Sequence, residues 1–223
     1  MTDSHTDTRT LTQRLKEENA DLHELAEHDA LPSLMARGEL PREAYVDFLG
    51  QMWLVNRALD RAVAERQRAG SRLLGVIEPR SLQTPYLEAD LATFGVETDA
   101  LEPTPGAAGL IEAIEAAGDD DERLLGLHYV REGANNGNRY VAKKLRGPLG
   151  LDAETGEGTR YLDPYGADQR PLWEAFKARL DALELSDAQR DAIVAAARSM
   201  FEHIRRIHAD FADRLGRQTT AAG

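Results

Sequence analysis

The chain has 223 residues, 42% of them hydrophobic, and its 39 acidic and 27 basic side chains leave a formal net charge of −12. That length suits one domain with a continuous core, while so acidic a surface repels nucleic-acid backbones and anionic lipids and would attract a basic redox protein, so no nucleic acid and no membrane partner is expected. Cysteine is absent, which excludes disulfides, zinc–thiolate sites, iron–sulfur clusters and thiol nucleophiles.

Residues 1–10 are polar and read as a disordered tail. With no apolar signal region and no stretch long enough to cross a bilayer, a cytoplasmic protein is expected. Leu11, Leu15, Leu22, Leu25 and Ala26 then recur at helical spacing, with Thr10 or Thr12 a candidate cap. The spacing predicts one amphipathic helix that ends before Pro32, because the residue preceding a proline leaves helical dihedrals. Residues 34–38 read as a helical turn stopped by Gly38. Pro41 opens a helix from Arg42 to about Ala69, whose apolar face includes Tyr45, Phe48, Trp53, Leu59 and Val63. Further helices are predicted from Thr84 or Pro85 to Gly95, over 107–117, and from Glu122 to about Leu145. Residues 147–171 form an irregular segment. Pro171 opens a helix carrying Trp173 and Phe176, and Ser186 caps a last one. Residues 217–223 read as a flexible tail, leaving 11–216 as the domain. Neither a period-two strand nor a repeat of 20 to 50 residues is visible, so the class is all-α, a single multi-helix bundle.

Two stretches depart from ordinary helix patterning. Lys16, Ala20, His23 and Glu27 follow one another at steps of four, three and four, so a continuous helix puts them on one face. A histidine at the apolar edge with a glutamate one turn later has what a metal ligand needs: one ring nitrogen for the metal, the other oriented by a carboxylate directly or through water. Lys16 lies two turns earlier, roughly 10 Å along the axis, about the span from a haem iron to its propionates. The same residues also fit a core histidine on a charged helix, and the spacing leaves both readings open. The second stretch is Gly133-Ala134-Asn135-Asn136-Gly137-Asn138. Two glycines and three asparagines in a helix interior cost about 0.5–1 kcal/mol apiece relative to alanine. Gly133 and Gly137 are four apart and bare the same face. A bend or a flat ligand lying close to the backbone accounts for them; so does a tight helix crossing, or a loop between two shorter helices.

In chain order, Leu15-Lys16-Glu17, Leu22-His23-Glu24-Leu25-Ala26-Glu27, Leu87-Glu88-Ala89-Asp90-Leu91 and His128-Tyr129-Val130-Arg131-Glu132-Gly133-Ala134-Asn135-Asn136-Gly137 resemble the haem oxygenase family, in motif order and separation, over roughly Leu11 to Leu215. The resemblance implies a bundle of the haem oxygenase-like type and an enzyme for which haem b is both cofactor and substrate. Dioxygen activated at the iron attacks a meso carbon of the macrocycle, giving biliverdin, carbon monoxide and ferrous iron, with electrons from an external donor, a ferredoxin or reductase. Position by position it implies His23 as the proximal iron ligand and Glu27 as the carboxylate behind it. Lys16 and Lys177 become cations for the propionates, Tyr129 a hydroxyl at the haem edge, and Gly133 and Gly137 the distal glycines that leave room for oxygen.

The chain also departs from the family. Animal haem oxygenases carry a Gly-Asp pair in the distal motif; Ala134-Asn135 stands there instead, which makes Asn135 the candidate polar group. The stretch is closer to the bacterial Glu-Gly-Ser-x-x-Gly, with Ala134 for the serine and Asn136 where an apolar residue is usual. An amide holds a water but does not relay a proton as a carboxylate does, so a non-catalytic haem-binding or carrier protein of the same fold is the alternative. Other chemistries have less support. His203 and His208 are about 140° apart around their helix, and no second Glu-x-x-His pair completes a di-iron site. No nucleophile elbow or phosphate loop is present. Thiaminase-like enzymes and di-iron oxidases share such bundles, so the fold by itself does not give the function.

Overall fold

Thr10 starts the first helix: its hydroxyl accepts the Gln13 N–H while the Gln13 side chain accepts the Thr10 N–H, a reciprocal cap that opens α1 (Leu11–Glu17). The computed structural model describes residues 8–221, so residues 1–7 of the expected N-terminal tail lie outside the described residues. Arg9 pairs with Glu17 and Glu18 at 3.0 Å. The single helix expected from Leu11 toward Pro32 is instead three: α1, α2 (Ala20–Glu27) and α3 (Ala30–Arg37). At the first break the buried Asn19 amide donates to the Leu15 carbonyl at 2.8 Å, the local side-chain bond that competes with a helical ladder. Pro32 falls in the first turn of α3, where its missing N–H is not needed. Lys16 and His23 therefore stand on different helices, and Leu25, expected in the inward stripe, is 49% exposed.

The remaining helices are α4 (Arg42–Arg68), α5 (Thr84–Thr93), α6 (Pro105–Ala117), α7 (Asp121–Arg146), α8 (Gln169–Asp181) and α9 (Asp187–Ala221), with short 3-10 turns between them and no strand among the described residues. α9 stays helical to Ala221, past the boundary expected at 216; residues 222–223 of the C-terminal tail lie outside the described residues. α7 is unbroken, which removes the reading of two short helices joined by a loop at Gly133 to Asn138.

α7 and α9 are the central pair and run parallel: Gln189 donates to Glu122 at 2.7 Å near their starts, and Gly126 then meets Ile193 and Ala197. A Cβ at Gly126 would sit on the Ile193 carbonyl oxygen and 2.6 Å from the Ala196 Cβ, so the helices touch backbone to backbone. α6 crosses α9 in the same way at Gly106, where a Cβ would lie 2.7 Å from the Ile207 nitrogen. On its other flank α7 is tied to α4 and α5 through buried charge. Arg131 pairs with Asp60, whose second oxygen accepts the Thr84 N–H and hydroxyl at 2.8 and 2.6 Å. The Arg131 guanidinium also donates to the Ser81 carbonyl at 3.2 Å and to His128 Nδ1 at 2.6 Å. A buried ion pair holds only where such further bonds are made, and removing one partner costs about 3–5 kcal/mol.

The irregular segment before α8 is pinned by Asp90 on α5, which accepts the backbone N–H groups of Arg160 and Tyr161 at 2.9 and 2.8 Å. Burial pushes the Asp90 carboxyl up to about 6, those N–H bonds opposing it.

Two outcomes follow from this packing. Gly126→Ala is expected to destabilise the protein by about 3 kcal/mol in urea unfolding, whereas Gly75→Ala, at a position with nothing within 4 Å, leaves stability within about 0.5 kcal/mol. Because Asp90 titrates higher folded than unfolded, its contribution is present below its unfolded pKa and fades as pH rises through about 6. Relative to Asp90→Asn, the native chain should lose about 3 kcal/mol across that window, read from unfolding curves at a series of pH values.

Candidate functional site

His23 is not a core histidine. Its side chain is 58% exposed, its ring stands edge-on to Phe201 of α9 at 5.7 Å, and its Nδ1 lies 3.7 Å from Glu27 Oε1. That separation is longer than a hydrogen bond and about right for a bridging water. With Nδ1 turned to the carboxylate, Nε2 is the ring nitrogen left for a metal. α2, which carries it, packs on α9 and α3. In the parallel α7/α9 pair Gly126 faces Ile193 to Ala197, so at equal rise per residue Gly133 and Phe201 come level. His23, resting on Phe201, thus stands at the height of Gly133 along the bundle.

α7 at that height has two unlike flanks. Gly133 and Gly137 are about 40° apart around the helix. Ala134, Gly137 and Tyr140 are exposed, Tyr140 by 71%, and a Cβ on Gly137 would meet nothing within 4 Å. A Cβ on Gly133 would touch only the Trp173 ring of α8, at 3.4 Å. No backbone crosses closely at either glycine, so the tight-crossing reading fails here; the Trp173 ring borders the face at Gly133, and the face is open at Gly137. The opposite flank is buried and polar, carrying His128, Arg131, Glu132 and Asn135. Asn135 therefore does not share the face of Gly133 and Gly137; it is buried, with Nδ2 lacking a hydrogen-bond partner among the described residues.

Tyr129 and Lys177 meet at Trp173. The Tyr129 ring lies 5.3 Å from Trp173, and Lys177 Nζ sits 5.7 Å over the same indole while pairing with Glu174 at 3.0 Å. Burial, then the nearby Asp181 carboxylate, pushes the Tyr129 hydroxyl up to about 12, so it stays protonated as a donor. Asp181 itself accepts the Thr12 N–H and hydroxyl at 2.9 and 2.7 Å, docking α1 on α8 and bringing the Lys16 helix to the end of the bundle that holds Lys177. Lys16 is exposed and forms no ion pair among the described residues.

The residue types suit haem: an exposed imidazole backed by a carboxylate, glycines at the same height, and two lysines on the helices that meet beside Tyr129. Sequence reasoning gave Trp173 no role beyond its helix and passed over Glu132 and Tyr165, which share a hydrogen bond at 3.1 Å. Glu132 was visible as the residue before Gly133, but nothing in the pattern said that it is buried.

The family described as "Heme oxygenase" matches residues 9–210, and the chain belongs to that family. It is 26% identical over 212 residues to heme oxygenase 2 of Synechocystis, covering 91% of this chain and 83% of that one. The structure of that protein in complex with heme and NO superposes with a TM-score of 0.84 over 92% of this chain and 86% of the other. Human heme oxygenase 1 is 24% identical over 86% of this chain and 68% of its own. The heme oxygenase of Leptospira interrogans, 21% identical, shares the fold with a TM-score of 0.81, over 91% of this chain and 100% of that one.

If the glycines serve a ligand rather than the fold, alanine there should not harm the empty protein. Gly137→Ala is expected to raise its unfolding free energy by about 0.5–1 kcal/mol, the ordinary helix gain, measured in denaturant without haem.

Proposed function

We propose that the protein is a haem oxygenase, cleaving haem by dioxygen to biliverdin, carbon monoxide and ferrous iron with electrons from a ferredoxin or reductase, in the cytoplasm. The observation that carries this reading is His23, exposed beside Glu27 at the level of an open glycine face. Bound haem supplies the iron at which dioxygen is activated and the macrocycle that is cut. Haem b is the form that suits the chain, since without cysteine it cannot be attached through thioethers.

The chain's own residues then divide the work. His23 Nε2 would hold the iron, and Glu27, 3.7 Å from Nδ1, would fix the ring orientation directly or through a water. Lys16 and Lys177 hold the propionates, Lys177 exchanging Glu174 for the ligand carboxylate, with the Tyr129 hydroxyl as a donor beside them. Gly133 and Gly137 would let the macrocycle approach the α7 backbone and leave oxygen its space, with the Trp173 ring bordering it at Gly133. A −12 chain favours a donor that presents positive charge at its docking face.

One feature favours a second reading. Asn135, an amide, stands where the animal enzymes have a carboxylate and does not relay a proton as one does, as in a haem carrier without turnover. Haem titration followed by reductant in air separates the two: loss of the Soret band with growth of biliverdin absorption, unaffected by catalase, establishes the oxygenase, and a persistent Soret band the carrier. His23→Ala should weaken haem binding at least about tenfold, the order of a lost second-shell contact or more, and change the ferric spectrum. An unaltered spectrum and affinity would remove His23 from the iron.

A further inference from the structure

Glu132 immediately precedes Gly133, is only 2% exposed, and forms no ion pair among the described residues. Its Oε2 accepts the Tyr165 hydroxyl at 3.1 Å, and that hydroxyl also lies 3.4 Å from the Arg80 carbonyl oxygen at the protein surface. The arrangement accommodates either protonation state. When Glu132 is ionised, Tyr165 donates to it; when Glu132 is protonated, it donates to the Tyr165 oxygen, and Tyr165 turns its proton to Arg80 O.

From Glu132 the polar path continues toward the open face of α7. Asn136 is one turn on, neighbouring Glu132 along the helix and standing between it and Gly133 around the circumference. Its Nδ2 donates to the Gly133 carbonyl at 2.9 Å and its Oδ1 accepts from Gln169 Nε2 at 3.3 Å. Gln169 is 4% exposed and its Oε1, also buried, has no partner among the described residues. Such an orphaned oxygen beside the Asn136 amide, itself one turn along α7 from Glu132, supplies polar contacts that hold an internal water. Ala134 lies on the other side of Gly133, about 100° away, and contributes nothing of the kind.

We infer that Glu132, held by the Tyr165 hydroxyl, is the positioning residue that stores a proton and supplies it through water at Asn136 and Gln169 to the Gly133 face, in place of the carboxylate that the Ala134-Asn135 pair lacks. The inference rests on the function proposed above. In the step, Glu132 gives its carboxyl proton to the water, which passes one of its own to the Gly133 face; the carboxylate left behind is held by Tyr165 and reprotonated from bulk water at the Arg80 side. Burial raises the Glu132 carboxyl, favouring the protonated form, against Arg131, the Tyr165 hydrogen bond and Arg179, which lower it, while Glu78 raises it further.

Infrared spectra of the haem-free protein test the stored proton. The difference between wild type and Glu132→Gln should contain a protonated-carboxyl C=O stretch that persists above the pH at which surface carboxylates have ionised. With haem and reductant, Glu132→Gln should bind haem with unchanged affinity yet turn it over about 100-fold more slowly, and Glu132→Asp should recover part of the rate. Tyr165→Phe, removing a bond that favours the carboxylate, should move the alkaline limb of the rate profile to higher pH. A flat infrared difference, or a Glu132→Gln variant with wild-type rate and pH profile, overturns the inference alone. A wild-type protein that yields no Soret band overturns the proposed function and this inference with it.

Discussion

α7 lies against α9 with no side chain between them at Gly126, and the placement of the candidate site depends on that contact. Because the two helices run parallel from it, residues equally far beyond the contact come level, which sets Phe201 beside the height of Gly133. His23 meets Phe201, so its height relative to α7 is inherited from a glycine about two turns away on another helix. A wider α7–α9 spacing would move the histidine face and the glycine face apart, because packed interiors have little slack to absorb the shift.

The glycines of α7 answer to opposite requirements. Gly126 is where a methyl would strike a neighbouring backbone, so glycine there stabilises the fold. At Gly137 a methyl would meet nothing, and glycine there costs helix stability without a packing return. The helix thus accepts a cost on its exposed face that its packing contacts do not explain.

The inner face has its own demand. Arg131, Asp60, His128 and Glu132 are buried together, and charge in such a place is tolerated only when bonded or neutralised. Arg131 meets the first condition through Asp60, Ser81 and His128. His128 meets the second: burial, then Arg131, holds its pKa well below that of an ordinary histidine. The same flank that ties α7 to α4 and α5 therefore also fixes which groups near Gly133 are charged and which are neutral.

Helix content and most helix bounds were legible from periodicity and punctuation. Gly38 and Ser186 end and begin helices where they were read to do so, since local dihedral and capping preferences act within a few residues. The candidate ligand His23 and its partner Glu27 were legible as well, being one turn apart on one helix. The break at Asn19 was not, because it depends on an amide finding the Leu15 carbonyl, and neither were the exposure of His23 and Leu25 or the burial of Glu132. Period tells which residues share a face but not what that face meets. The sequence by itself determined an all-helical chain with a histidine–glutamate pair and a glycine face. Only the tertiary structure decided that these stand level, that Asn135 turns away from them, and that Glu132 is buried against Tyr165, because contacts between helices far apart in sequence depend on crossing distances set elsewhere in the fold.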